Sequence, residues 1–236
     1  MSVELRIVSI GALACHPLRN ESGDRRPGHA TTVLLTSGDR RILVDPSLPP
    51  EALKHRLDER TGLEPDAITD VFLTDLRPER RRGIGLFGDA AWHVGEMERD
   101  TYRAVIETKR RELDDEDDLD PDTEKLLELE SRVVARCGAA PDRIADGVDL
   151  FPLPGVTPGL CGLLLPLPRT TIVICGDAVP TLEHLEQGAV LPHVANLEQA
   201  QESFREAVEI ADQIVPGRDN LLFNPARGLG IGPSMG

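Results

Sequence analysis

The sequence predicts an α+β fold in which two β-sheets pack face to face and helices cover their outer sides. Two observations support this prediction. Short apolar or alternating segments, typical of strands, are interleaved with longer amphipathic segments of helical spacing. The chain shows no internal repeat at the periods of solenoid proteins. Its 236 residues are enough for one hydrophobic core, so we predict a single domain over residues 1–236.

The first quarter of the chain is predicted to hold three strands and a helix. Glu4–Ile10 alternates polar and apolar residues, as a half-buried strand does. Thr32–Thr36 and Arg41–Asp45 are expected to pair as a hairpin around the turn Ser37–Asp39. Pro50–Arg60 has the pattern of a short amphipathic helix.

Three further helices are predicted downstream. The first covers Glu96–Leu113 and the second Pro121–Cys137, where proline at the first helical position is typical of a helix start. Asn196 is expected to cap the third, with Gln199 at the capping-box position. The residues predicted for its apolar face are Leu197, Ala200, Phe204, Val208 and Ala211.

The net charge of −15 comes largely from one segment. Residues 112–124 hold nine of the 41 acidic residues and no basic residue, which is typical of a solvated connector, here between two predicted helices. The glycine-rich tail, residues 226–236, is expected to be loosely ordered. An acidic chain with 3% aromatic residues offers neither a basic track nor a stacking platform, so no nucleic-acid partner is expected.

The apolar segments and cysteines bear on location and redox chemistry. No apolar run approaches the roughly 20 residues that span a bilayer, so no membrane role is expected. The N-terminal pattern is not that of a signal peptide, and we expect a cytoplasmic protein. The four cysteines form no close C-x-x-C pair, which argues against a disulfide framework, and Cys161 and Cys175 fall in predicted core strands. Nothing in the sequence specifies an oligomeric state.

Five motifs follow one another between Ala30 and Asn220. A hairpin ends in ILVDPS, and the strand, polar loop and glycine-started turn of VFLTDLRPERRRGIGLF (71–87) come next. The others are LFPLPGVTPGLCGLLLP (150–166), TIVICGDAV (171–179) and IVPGRDN (214–220). In this order they resemble the motifs of the metallo-β-lactamase superfamily. The resemblance implies that family's four-layer αββα sandwich and, as the family's activity, metal-dependent hydrolysis.

The resemblance also implies where a metal site would lie, because family members bind one or two metals through histidines and aspartates of these loops. The matching positions here are Asp75, Arg77, Glu79, Arg80, Val156, Asp177 and Arg218. A guanidinium has no lone pair for a metal and stays positively charged, so a zinc cofactor and ordinary zinc hydrolysis are not expected. We predict instead an arginine/carboxylate network at the former metal positions, since bidentate hydrogen bonds from arginine neutralise buried carboxylates.

The same residues leave two other functions open. A harder metal ion, Mg²⁺ or Mn²⁺, could be held by the three oxygen donors, and its bound water would attack an anionic ester. Those donors are Asp75, Glu79 and Asp177. Alternatively, the three guanidiniums could bind a small anionic ligand, such as a phosphate or carboxylate, without catalysis. These are Arg77, Arg80 and Arg218.

Two histidines are candidates for the pocket, although neither falls on a ligand position. His29 precedes a strand that faces the site in the family, and His184 follows Asp177 in a short helical stretch. For both, a structural hydrogen-bonding role is the ordinary alternative. The run Arg80–Arg82, taken without the motif, would ordinarily be a solvated surface.

Overall fold

The computed structural model describes residues 3–114 and 121–227, which contain two six-stranded β-sheets. The first sheet runs in chain order through Glu4–Ser9 (β1), Thr32–Ser37 (β2), Arg40–Val44 (β3), Asp70–Leu73 (β4), Ala91–Val94 (β5) and Gly138–Ala139 (β6). The second runs through Arg143–Ala145 (β7), Val148–Pro152 (β8), Cys161–Leu167 (β9), Thr170–Gly176 (β10), Gln213–Pro216 (β11) and Leu222–Phe223 (β12).

Five α-helices connect these strands in the described part of the chain. They are Pro50–Thr61 (α1), Glu96–Asp114 (α2), Pro121–Arg136 (α3), Leu182–Gln187 (α4) and Leu197–Ile210 (α5). The first sheet pairs β1, β2 and β3 antiparallel and continues parallel from β3 to β6. In the second sheet the pairs are antiparallel except for β10 with β11, which is parallel. Each sheet therefore contains parallel neighbours whose carboxyl ends lie side by side.

Three buried apolar clusters define the layers. One lies between the first sheet and helices α1 to α3, with Leu57 and Val71 among its members. A second lies between the two sheets and includes Phe72 and Ile174. The third packs the second sheet against α5 through residues such as Phe204. The order helix, sheet, sheet, helix confirms the predicted α+β class and the four-layer αββα sandwich.

The observed boundaries match most of the predicted elements within one or two residues. Asn196 caps α5, its side chain accepting a hydrogen bond from the backbone N–H of Gln199 at 3.1 Å, as predicted. The prediction for Leu197 is wrong, because this side chain is 56% exposed. It occupies the first position of α5, before the helix reaches the apolar cluster that its Ala200 and Phe204 join.

The acidic segment and the tail are described only in part. Residues 112–114 belong to α2 and residues 121–124 to α3, so both ends of the predicted acidic connector are helical. Its centre, residues 115–120, and the tail beyond residue 227 lie outside the described residues. Among the helices that are described, none combines the length and apolar character needed to cross a membrane.

Candidate functional site

Strand ends from both sheets meet at one edge of the sandwich. In the first sheet Asp45 follows β3, and Asp75 comes shortly after its parallel neighbour β4. In the second sheet Asp177 follows β10, and Arg218 comes shortly after its parallel neighbour β11. Because parallel neighbours bring their carboxyl ends together, each sheet contributes charged side chains to the same edge.

Arg80 lies at the centre of this edge and is fully buried. Its Nε donates to Asp75 Oδ2, and its Nη1 donates to Asp45 Oδ2 at 2.9 Å. Its Nη2 lies 2.6 Å from Asp177 Oδ1 in an ion pair whose angles are not those of a hydrogen bond. One guanidinium therefore joins three buried carboxylates and links the two sheets.

Arg77 and Arg218 complete what we call the arginine/carboxylate network, formed by three arginines with Asp45, Asp75, Glu79 and Asp177. Arg77 donates from Nε to Asp75 Oδ1 at 3.0 Å and from Nη2 to Asp75 Oδ2 at 2.7 Å. Arg218 donates to both oxygens of Asp177, at 3.0 and 2.9 Å, and to Glu79 Oε1 at 2.6 Å. Six of the seven predicted site residues therefore meet in one network.

Two local features shape the loop that carries Arg218. A Cβ atom at position 217 would lie 2.3 Å from Asp177 Oδ1, so glycine is required for the close approach of this loop to Asp177. The backbone N–H of Arg218 donates to the Pro180 carbonyl at 2.8 Å, which fixes the loop against the segment after β10. The guanidinium is thereby held over Asp177.

Asp45 was not predicted as a site residue, although it closes the ILVDPS motif. It has a left-handed backbone, with φ of 47°, and is buried. Thr74 donates to both of its carboxylate oxygens, from the backbone N–H at 2.8 Å and from the hydroxyl at 2.7 Å. Asp45 therefore holds two things in place: the end of β4, through Thr74, and the side chain of Arg80. Its position directly after an apolar strand was the sequence signal for this role.

Val156 is the predicted position that does not join the network. It is buried in the apolar cluster between the second sheet and α5.

Glu98, an acidic residue that the sequence did not mark, holds the loops beside the network. It accepts hydrogen bonds from the Leu76 N–H, the Thr157 hydroxyl and the Gly159 N–H at 3.1, 2.7 and 3.2 Å. Burial and the nearby charge of Asp75 raise the pKa of Glu98.

Burial and ion pairing together set the ionisation of the three buried aspartates. Burial alone would raise the pKa of Asp75, but the adjacent guanidiniums, Arg80 first, outweigh it and lower this pKa to about 2. The same competition holds the pKa of Asp177 well below its ordinary value. Asp45 differs, because burial dominates over the opposing charge of Arg80 and raises its pKa to about 6.

An open cleft of about 630 Å³ lies over the network. Arg77 and Glu79 reach it, with side chains 27% and 37% exposed, whereas the side chain of Asp177 is fully buried. The loop before β2 supplies much of the wall, including Leu13, Ala14, Pro17 and Arg26. His193, which no motif had marked, also lines the cleft.

The two histidines proposed from the sequence lie elsewhere. His29 lines a separate cavity beside β1. His184 is fully buried in α4, where its Nδ1 lies 2.9 Å from the Thr181 hydroxyl and its ring packs 5.3 Å from that of His16. Neither histidine contacts the arginine/carboxylate network.

The residues at this edge do not fit the zinc ions that the fold implies. A zinc ligand must offer a lone pair, and three of the clustered side chains are guanidiniums, which offer none. The four carboxylate oxygens of Asp75 and Asp177 all contact arginine nitrogens. Within residues 3–114 and 121–227, no group of three or more His, Cys, Asp or Glu side chains is arranged to hold a metal ion.

Comparisons with known proteins agree with this architecture. The family model of the metallo-beta-lactamase superfamily matches residues 25–216. A structure described as a metallo-beta-lactamase of Thermotoga maritima is 21% identical, with a TM-score of 0.65 over 94% of this chain and 100% of that one. The hydrolase AbOPH is 15% identical, with a TM-score of 0.62 over 95% of this chain and 91% of that one.

A third similar structure is a dizinc quorum-quenching lactonase, AidC, at 15% identity and a TM-score of 0.59 over 76% of this chain and 67% of that one. At these low identities, the TM-scores show a shared fold and nothing more. A comparison with curated proteins finds no match. The family model covers most of the chain, from before β2 to the end of β11. This chain therefore belongs to the metallo-β-lactamase superfamily.

Proposed function

We propose that this chain is a metal-free member of the superfamily, in which the arginine/carboxylate network takes the place of the metal ions. In this proposal the cleft binds a small ligand without zinc-dependent hydrolysis. The observation that carries it is the position of Arg80. A fully buried guanidinium paired with Asp45, Asp75 and Asp177 supplies positive charge where a hydrolase of this fold would hold its metal.

The contacts of the carboxylates weigh against a remodelled Mg²⁺ or Mn²⁺ site. Such ions need free oxygen ligands, usually several carboxylate, carbonyl or water oxygens. Both oxygens of Asp75 and both of Asp177 contact arginines, and Glu79 is paired with Arg218. A divalent cation would have to displace several ion pairs and would then lie beside guanidiniums, which would repel it.

A small anion is the ligand class that we assign to the cleft, whose lining holds four arginines and three carboxylates, those of Asp24, Glu79 and Asp177. Arg82 lines it, and among the described residues no carboxylate pairs with this side chain, whose Nη1 donates to the Gly28 carbonyl at 2.8 Å. Arg77 is partly exposed to the cleft, while its partners Asp75 and Asp177 are fully buried. An anion entering the cleft would therefore meet guanidinium groups before it met those two carboxylates.

Elemental analysis and metal titration test the metal-free proposal. We expect the purified protein to contain no stoichiometric zinc and its melting temperature to be unchanged by Zn²⁺, Mn²⁺ or Mg²⁺. Hydrolysis of a lactone and of a phosphoester should stay at background with each ion. The matched variant carries Arg77→His, Arg80→His and Arg218→His, and it should acquire zinc binding, because imidazole offers lone pairs. A tightly held, stoichiometric metal in the parent protein would overturn the proposal.

The anion part of the proposal needs its own experiment. Titration with acetate and inorganic phosphate, followed by NMR, should shift the backbone signals of Ala14, Arg82 and His193. Arg82→Gln should weaken this response about tenfold, the scale of one charge-assisted contact. Arg132→Gln serves as the control, since this exposed arginine of α3 is paired with Glu128 on the same helix. An unchanged response in Arg82→Gln would remove the cleft as the anion site.

A further inference from the structure

A second cavity of about 350 Å³ lies between the end of β1 and helix α1. Four consecutive residues of β1 and its extension, Ile7–Ile10, form one side. Arg56 and Arg60 of α1 form the other, and His29, Leu48 and Asn220 complete the lining. This cavity shares no lining residue with the cleft over the arginine/carboxylate network.

The ionisable groups of this cavity are all basic, although the chain has a net charge of −15. Arg56 and Arg60 are one helical turn apart, so their side chains lie on the same face of α1. Arg56 is paired with Glu59 at 2.7 Å in an exposed pair. No carboxylate within the described residues pairs with Arg60. The cavity therefore has positive charge that nearby acids only partly balance.

His29 is held at the cavity wall by two contacts with backbone carbonyls. Its Nδ1 lies 3.1 Å from the Pro27 carbonyl, and its Nε2 lies 3.0 Å from the Ile10 carbonyl. These two contacts fix the orientation of the ring at the cavity wall.

Ser9 supplies an independent sign of a ligand. It is 9% exposed, and its hydroxyl has no hydrogen-bond partner among residues 3–114 and 121–227. The register of β1 against β2 shifts between Ile7 and Ser9, and such a bulge redirects side chains at a sheet edge. Buried hydroxyl groups almost always have a partner. Ser9 lines the cavity, so a rotation of its side chain would bring this free donor to a bound molecule.

We propose that this cavity is a second binding site, for a small molecule that combines a phosphate or carboxylate group with a short apolar group. Arg60 and Arg56 would pair with the oxyanion, and the Ser9 hydroxyl would donate a hydrogen bond to it. Ile7 and Leu48, which line the same space, would contact the apolar part. The proposal is independent of what the cleft over the network binds.

The test is an NMR and calorimetric titration of the full chain with three probes: inorganic phosphate, butyl phosphate and butyrate. Binding at this site should shift the backbone signals of Ser9, Ile10 and Arg60. Butyl phosphate should bind more tightly than inorganic phosphate because it also buries an alkyl chain. Comparison with butyrate shows whether the site prefers the phosphate or the carboxylate group.

Three variants make the test specific. Arg60→Gln should weaken butyl phosphate binding about tenfold, and Ser9→Ala severalfold, as expected for loss of a charged and a neutral hydrogen-bond donor. Arg132→Gln should bind like the parent. Circular dichroism checks that each variant is folded; Arg60 is exposed, so its replacement is not expected to disturb the core. The proposal fails if no probe binds, if both cavity variants bind like the parent, or if the shifted signals belong only to the cleft.

Discussion

Arg77 and Arg218 donate to the same atom, Asp177 Oδ2, at 2.6 and 2.9 Å. The two arginines follow strands of different sheets, β4 and β11. One carboxylate therefore holds together two loops that are distant in sequence, and Arg80 reaches the other oxygen of the same group. The closed edge of the sandwich depends on charges that are buried and mutually compensated, and this leads to specific expectations for variants.

Asp177→Ala should destabilise the protein by about 3–5 kcal/mol, the usual cost of removing one partner from a buried ion pair. The loss leaves Arg77, Arg80 and Arg218 without the carboxylate that they share. Urea denaturation gives the free energy of unfolding, and elemental analysis should show the same metal content in the variant and the parent.

The matched control is Asp149→Ala, because Asp149 forms a surface pair with Arg143 at 2.7 Å. This variant should lose at most about 1 kcal/mol, as exposed pairs usually do. If Asp177→Ala and Asp149→Ala unfolded at the same urea concentration as the parent, the network would have no role in holding the fold closed.

Arg80→Lys should destabilise by roughly 2 kcal/mol or more, although the charge is kept. An ammonium is a point donor and cannot reach Asp45, Asp75 and Asp177 with three separate nitrogens as the guanidinium does. Arg132→Lys on the exposed face of α3 is the control and should be nearly neutral. Thermal and urea unfolding measure both variants, and equal losses would contradict the central position of Arg80.

The loss of folding stability at acidic pH should follow the protonation of the Asp75 carboxylate. Its pKa in the folded state is lowered to about 2 from an ordinary value of 3.8. A carboxylate with a depressed folded pKa stabilises the fold above pH 4, and that contribution is lost as the pH falls from about 4 to 2. Asp75→Asn should be less stable at neutral pH and should show a shallower loss in that window, measured by urea unfolding at several pH values.

His184 should change folding stability at a higher pH than Asp75 does. Burial, then the charge of His16, lowers its pKa from 6.5 to about 4. The unfolded chain therefore binds the proton more readily between these values, so the contribution of His184 to stability should fall as the pH drops from 6.5 to 4. The contribution of Asp45 to stability changes in the opposite direction and rises as the pH drops from 6 to 3.8, because its pKa in the folded state is raised from 3.8 to about 6.

Because His184 and Asp45 change stability in opposite directions, a variant of Asp45 is the control for a variant of His184. The two contributions largely offset each other in the parent. His184→Gln should therefore make stability rise relative to the parent as the pH drops from 6.5 to 4, whereas Asp45→Asn should make it fall relative to the parent. The parent, His184→Gln and Asp45→Asn can be compared by urea unfolding at fixed ionic strength. A slope in His184→Gln that matches the parent's would show that this imidazole does not set the pH dependence.

The layered fold and much of the site could be predicted from local patterns. Strand ends are visible in a sequence, so Asp75 and Asp177 were placed correctly at the ends of buried strands. The pairing of Asp45 with Arg80 was not predicted, because it joins residues 35 positions apart whose contact depends on the parallel pairing of β3 with β4. His29 was assigned to the wrong cavity because its distance from the network depends on the same tertiary packing.

The arginine run shows most clearly why side-chain environments escape sequence patterns. Arg80 is fully buried in the network, while Arg81 is buried against Glu130 and donates to the Leu76 carbonyl at 2.8 Å. Arg82 is exposed and lines the cleft. The 3₁₀ turn Pro78–Arg80 points successive side chains in different directions. A reading of the run as a uniform solvated surface is therefore wrong for two of its three members.

The predicted cytoplasmic location and the absence of a nucleic-acid partner stay predictions.

The burial of Arg80 among three aspartates has a consequence for how the fold responds to its surroundings. The occupancy of a metal site follows mass action and falls when the ion is scarce or a chelator competes for it. The cations at this edge are joined to the backbone and cannot dissociate. Under the metal-free proposal, we therefore expect the ion pairs of this edge to persist in metal-rich and metal-starved conditions alike.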